Sequence, residues 1–514
     1  MVDSAFHTFT VSPMDEYNQK LVSHVHPPDW VNPTPAECYD LVVIGAGTAG
    51  LVVAAGAAGL GLGFKIALVE RHLMGGDCLN VGCVPSKCVI RSSRVVADIA
   101  NAKPYGIVPP DRVEVDFSAV MERMRRLRSS ISPHDSAQRF QQLGIDVFLG
   151  NGRFAGDNTV RVSNKTLKYH KAVIATGARA VRPKIPGLEE AGYLTNETVF
   201  NLTECPRRFA VIGGGPIGCE LAQAFHRLGS QVTLIHRGPH LLNREDPDAA
   251  AIVQNTFVRE GIELVLGCEP TRVEKTTEGK VLYFDRDGKS TSIVVDEILI
   301  GAGRAPNVEH LNLEEVGVEY QRQGIVVNDN LQTTNPKIYG AGDVCMNWKF
   351  THAADAAARI VIQNTLFAPF GLAKAKLSNL VMPWVTYTDP EVAHVGLYER
   401  EAQDRGIDVN TIEIPFSGLD RAIADGETEG FLKVLHAKTS DRILGATLVS
   451  RHAGETISEL TTAIVHNIGL KQLSSVIHPY PTQAECIKKA ADAYKKTQLT
   501  PFTKWLLSVL NKFS

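Results

Sequence analysis

A chain of 514 residues exceeds what a single hydrophobic core organises, so about three domains are expected. Its 44% hydrophobic and 21% charged residues are ordinary for a globular protein, and a formal charge of -3 lacks the basic surplus that holds nucleic acid. The nine cysteines, an odd number thinly spread, do not form a disulfide framework, and the first twenty residues show no secretory pattern, so a cytoplasmic protein is expected.

Residues 1–37, which include "HPPDWVNPTPAE", read as a polar arm or strap. The run Tyr39 to Ile44 predicts a strand, and Gly45, Gly47 and Gly50 follow it as a tight turn opening a helix. The uncharged stretch 41–64 has the length of a membrane span, but these glycines punctuate it as strand, turn and helix. A second strand, "KIALVE", ends in Glu70, an acid placed to bind a ribose hydroxyl while the glycines admit a pyrophosphate. The cofactor of this site should carry a free 2'-hydroxyl.

Next comes "MGGDCLNVGCVPSK" (74–87), with Cys78 and Cys83 five positions apart. In an unbroken helix such residues lie roughly 8 to 9 Å apart at Cα, too far for a disulfide. Asn80, Val81 and Gly82 are therefore expected to break the helix, which resumes near Cys83 with Pro85 in its first turn. Cys83, at a helix start with Lys87 at i+4, is the expected thiolate; Cys78, before the helix and beside Asp77, is the expected exchanging thiol. A structural bridge does not suit this compartment, and zinc would need four ligands where only Cys88 is near, so no metal site is expected. Redox chemistry is the remaining reading, and Cys88 reads as a small apolar residue.

"VIATGARA" (173–180), with Thr176 and Gly177, is a further strand and glycine turn. The nucleotide unit then recurs at "FAVIGGGPIGCELAQAF", with Gly213, Gly215 and Gly218 in the turn and Pro216 near the helix start. Here the acid is replaced by His236 and Arg237, with Arg244 beyond; cations suit a 2'-phosphate, so NADPH is expected over NADH. "ILIGAGRAPN" (298–307), with Gly303, and "IYGAGDV" (338–344), with Gly342 and Asp343, return to the first unit. The order predicts an α/β protein in which the second Rossmann-like domain (186–305) is inserted into the first (38–185 and 306–374), with an α+β domain at 375–498. The segment 499–514 spaces Phe502, Trp505, Leu506, Val509, Leu510 and Phe513 helically; docking on the protein's own dimer is favoured over a membrane surface.

With "GGDCLNVGCVPSK", two GxGxxG units, "YGAGDV" and "HPYPTQAE", residues 38 to 495 resemble the pyridine nucleotide-disulfide oxidoreductases. The resemblance implies FAD in the first site and a homodimer whose C-terminal domain completes the partner's active site. It further implies that Lys87 and Glu220 pair beside the flavin, that Asp343 binds its ribityl chain, and that Cys83 forms the thiolate facing it. "VTLIHRGPHLLNREDPD", "VGCVPSK" and "YTDPEVAHVG" are most similar to the mercuric reductase branch. This chain nevertheless shows no cysteine after Cys486 to match that branch's terminal metal-accepting pair, and its first cysteine, Cys38, already adjoins the first strand, so no heavy-metal-binding N-terminal domain is expected. Where dithiol enzymes of the family carry a histidine base oriented by a glutamate, this chain has Tyr480, with Glu485 retained; a phenol is a poor base at neutral pH. The acceptor, a small or protein disulfide, a metal ion or a quinone, is left open. A dihydrolipoamide dehydrogenase using NAD, and a redox sensor or membrane-docked binding protein, are the alternatives.

Overall fold

Tyr39–Ile44 (β1) is apolar without alternation because it is central in a parallel sheet covered on both faces. The computed structural model describes residues 10–512 apart from positions 112, 157, 287, 369 and 370. β1 is followed by a helix, Thr48–Ala58 (α1), and pairs in parallel with Ile66–Glu70 (β2) and with Lys165–Ile174. Asp146–Leu149 extends the sheet beyond β2, and Ile338–Gly340 joins it beside Lys165–Ile174, again in parallel. Between these last two elements the chain makes another parallel set, Gln231–His236, Arg208–Ile212 and Glu297–Ile300. The second nucleotide fold is thus inserted within the first.

Gly45 is at φ +104°, and a Cβ there would lie 2.3 Å from the Ala175 carbonyl oxygen. Gly45→Ala is expected to cost about 3 kcal/mol or more, combining backbone strain with overlap, measured as a lowered urea midpoint.

The N-terminal arm contains regular structure. Positions 1–9 lie outside the described residues, but Glu16–Val25 is a helix capped by Asp15, whose Oδ1 accepts from the Asn18 N–H at 2.9 Å. Leu21 and Val25, one turn apart, are fully buried, and Arg128 donates to Asn18 Oδ1 at 2.7 Å. The arm is docked structure because it buries an apolar stripe its polar composition conceals.

The chain forms two compact units. One comprises the chain to Gly213 with Ala224–Ile235 and Cys268–Leu380; the other comprises Gly214–Gln223, His236–Gly267 and the chain from Val381 onward. The second contains a five-stranded antiparallel sheet, ordered Pro383–Thr386, Glu391–Gly396, Ile443–Ser450, Phe431–Ala437, Val409–Pro415. Helices Ala453–Val465 and Glu485–Thr497 pack on it through Ile457, Leu460, Ile487 and Ala491. The last helix, Pro501–Leu510, leaves Phe502, Trp505, Leu506 and Leu510 exposed within the single chain; Phe513 lies outside the described residues. Among the described residues no helix is long and apolar enough to cross a membrane.

Candidate functional site

The helix break expected between the cysteines is present. Gly76–Asn80 (α2) ends at Asn80, and Cys83–Ala100 (α3) begins after two intervening residues, Val81 and Gly82. Cys78 lies ahead of α3, inside the short helix α2, whose N-cap is Gly75 at φ +88°. Gly82 is required by close approach, since a Cβ would sit 2.7 Å from the Asp77 carbonyl oxygen. The break is gripped from both sides: Asn80 Nδ2 donates to the Met74 and Gly76 carbonyls at 3.0 and 2.9 Å, and Asn196 Nδ2 donates to the Val81 carbonyl at 3.3 Å.

The two sulfurs are within hydrogen-bonding reach and carry unequal proton affinities. The Cys78 thiol is pushed up by its hydrogen bond to Cys83, then by burial and by the charge on Cys83. Cys83 is at the start of an 18-residue helix whose N-terminus has no side-chain cap, so backbone N–H groups face it. Its sulfur is 3.3 Å from the Thr351 hydroxyl, at the first position of helix Thr351–Leu366, and Lys87 follows one turn along α3. Asp77, beside Cys78, is bound by Arg304. Arg304 also donates to the Ala178 carbonyl at 2.6 Å and approaches Asp343 Oδ2 at 3.5 Å. Asp343, in the turn Gly342–Val344, is raised by burial against the opposing charges of Arg304 and Lys349.

The first glycine turn fits a flavin dinucleotide. The N-terminus of α1 has Gly47 as its cap with no side chain bonded to it, leaving backbone donors for a phosphate. Gly47 and Gly76 face each other so closely that a Cβ on Gly76 would lie 2.7 Å from the Gly47 Cα, a cradle that side chains would fill. Beside it is a cavity of about 220 Å³ lined by Gly45, Glu70, Gly152, Thr176 and Asn307 among others. Thr176 donates to the Asn307 carbonyl at 2.7 Å and Gly177 is at φ +68°. Glu70 is buried, its Oε2 accepting from the Ala46 N–H at 2.7 Å and its Oε1 from the His72 N–H at 2.8 Å. Gly50 packs directly on the Gly45 carbonyl, 1.8 Å from where its Cβ would be.

The second turn repeats the arrangement with different chemistry. The Gly214 N–H donates to His236 Nδ1 at 3.1 Å, the equivalent of the bond from Ala46 to Glu70. The imidazole is thereby neutral with its proton on Nε2, and burial, then Arg237 and His240, lower its proton affinity. Gly213 is at φ +117°, a Cβ on Gly215 would meet nothing within 4 Å, and Gly218 lies in the helix Pro216–Arg227. Arg237 and Arg244 follow on the loop after the strand, and Gly303 is at φ +119°. The Arg244 carbonyl accepts from Arg400, while the buried Glu245 accepts from Trp384 Nε1 at 2.8 Å and from the Tyr398 hydroxyl. Glu220 is buried, its Oε1 accepting from the Tyr387 N–H at 2.9 Å.

Tyr480 is 70% exposed, and its hydroxyl donates to Asp420 Oδ2 at 2.9 Å, a bond that raises its proton affinity. The carboxylate bonded to Tyr480 is thus Asp420; Glu485 begins the next helix and lies 3.9 Å from Lys489. His478 pairs with Glu459 at 2.9 Å. Sequence reasoning missed Arg304, Thr351 and Asp135, the last a carboxyl raised by burial whose charge bears on Cys78. The arginine in "GAGRAPN" was the one available signal. Among the described residues no cluster of three or more His, Cys, Asp or Glu is placed to hold a metal ion.

Residues 39–358 match the family model described as pyridine nucleotide-disulphide oxidoreductase, and 382–491 match its dimerisation domain. A mercuric reductase of Staphylococcus aureus is 35% identical over 459 residues, 89% of this chain and 83% of that protein. A dihydrolipoyl dehydrogenase of Chlamydia muridarum is 34% identical over 465 residues, 88% of this chain and 96% of the relative. Among solved structures, the HOCl-induced flavoprotein disulfide reductase RclA of Escherichia coli superposes with a TM-score of 0.77 at 26% identity, covering 88% of this chain and 99% of RclA.

Proposed function

From the premise that this chain belongs to the pyridine nucleotide-disulphide oxidoreductase family, FAD-dependent enzymes that use NAD(P)H, we propose that it is an NADPH-oxidising reductase of the mercuric reductase-like branch. The observation that carries this reading is the broken helix that sets Cys78 and Cys83 within hydrogen-bonding reach, with Cys83 at a helix start. Gly45, Gly47, Gly50, Glu70, Thr176, Gly177, Gly342 and Asp343 would hold FAD, which when bound would supply hydride acceptance from the nicotinamide and two-electron chemistry toward the disulfide. Lys87 and Glu220 are assigned beside it as the charged pair that the family resemblance implies.

The chain's own residues then divide the work on the acceptor. Cys83 keeps the negative charge, stabilised by the helix start, while Cys78 holds its proton until exchange. With a disulfide acceptor, Cys78 attacks one sulfur and releases one thiol; Cys83 then attacks Cys78, re-forming the internal disulfide and releasing the second thiol. Two electrons are transferred; one proton of the product thiols comes from Cys78 and the second from solvent. The dimerisation-domain match supports a homodimer, and Tyr480 and Glu485 of one subunit are assigned to the acceptor site of the other. The NADPH assignment rests on His236, Arg237 and Arg244.

Anaerobic titration of the FAD-loaded protein with NADPH, and separately with NADH, followed by Hg(II) or lipoamide, tests the reading. Rapid flavin reduction by NADPH, with reoxidation by one acceptor, is the expected result. Faster reduction by NADH with discharge by lipoamide would replace it with the dihydrolipoamide dehydrogenase reading.

A further inference from the structure

Arg304 reaches the cysteine helix from a distant part of the chain and is fixed before it arrives. It stands in a short strand, Arg304–Pro306, paired antiparallel with Ala178–Ala180, and its Nη2 donates to the Ala178 carbonyl at 2.6 Å. The side chain is 15% exposed. From this anchored position its guanidinium serves two carboxylates: Asp77, the residue before Cys78, through Nη2, and Asp343, 3.5 Å from Nε. Burial alone would weaken the cation, yet the two acids outweigh it, so Arg304 remains charged.

Reducing the cysteine pair creates a thiolate where the disulfide carried no charge. Groups facing the pair sort by sign: Asp135, from the turn Ser132–Asp135, opposes the new charge, while the Thr351 hydroxyl supports it. Asp77, adjacent in sequence, would oppose it too if its charge were uncompensated.

Resting on the disulfide-redox reading above, we propose that Arg304 is a positioning residue for the cysteine pair, cancelling the charge of Asp77 and tying the cysteine helix to the Gly342–Val344 turn. Its consequence is a disulfide that is easier to reduce.

The test uses the full-length flavoprotein equilibrated in dithiothreitol redox buffers, with the Cys78–Cys83 state read by alkylation and mass shift. Arg304→Gln is expected to shift the exchange constant about tenfold toward the disulfide, about 30 mV for a two-electron couple. It should also move Cys83 alkylation to higher pH. Adding Asp77→Asn to that variant should return the constant to within about threefold of wild type, because the opposing charge is then gone. Arg304→Lys, which keeps the cation if Arg304→Gln fails to fold, should stay within about threefold of wild type. An unchanged constant in Arg304→Gln, no rescue by Asp77→Asn, or a tenfold shift in Arg304→Lys would overturn the proposal. Wild-type protein with no exchangeable Cys78–Cys83 disulfide would instead overturn the redox reading beneath it.

Discussion

Replacing Cys83 with serine is expected to lower acceptor turnover by about a thousandfold or more, while flavin reduction by NADPH stays within a few fold of wild type. The split follows from the proposed roles. Cys83 begins an 18-residue helix whose first N–H groups have no side-chain cap, a position that stabilises a thiolate where a serine hydroxyl would stay neutral and could form no disulfide. Nothing in the second glycine turn depends on it. Cys78→Ser should abolish turnover equally but leave Cys83 as a lone thiolate, without the neighbouring thiol that hydrogen-bonds to it. Stopped-flow reduction with NADPH, paired with steady-state turnover, separates the two half-reactions. Full turnover in Cys83→Ser would remove the cysteine pair from the mechanism.

The second large effect is expected at the nucleotide loop. Arg237→Glu should lower kcat/KM for NADPH roughly a hundredfold and leave NADH within about threefold or improved, since a carboxylate repels the 2'-phosphate but accepts from a 2'-hydroxyl. The comparison of the two glycine turns is the basis. The same backbone donor meets a carboxylate at Glu70 in one and a neutral imidazole at His236 in the other. His236 removes the acid without adding charge, which leaves Arg237 and Arg244 to supply it. Equal NADPH and NADH efficiencies in the wild type would defeat this assignment before any variant was made.

What the sequence made legible follows from how local each signal is. The parallel strands show as uninterrupted apolar runs, and the glycine turns show because a side chain at Gly45 or Gly50 has nowhere to go. The helix break was readable from a distance argument over six residues. Thr351 meets Cys83 from 268 residues away and Arg304 meets Asp77 from 227, contacts created by sheet topology that no local pattern encodes. The docked arm helix was hidden for another reason: its apolar stripe is short and sits among prolines and histidines. At Tyr480 the motif named the residue but not its partner, since Asp420 comes from another helix 60 residues earlier.

Glu245 belongs by motif to the second nucleotide fold, yet both of its aromatic donors come from the region after residue 380, Trp384 in an edge strand and Tyr398 at the start of a helix. A chimaera that grafts this nucleotide segment onto a foreign C-terminal domain therefore inherits a buried acid stripped of its donors, at a cost of about 1 to 3 kcal/mol for each lost bond. The loop beside Arg244 would loosen with it. Exchange of parts between such proteins succeeds only when Trp384, Tyr398 and Arg400 travel with the loop they hold.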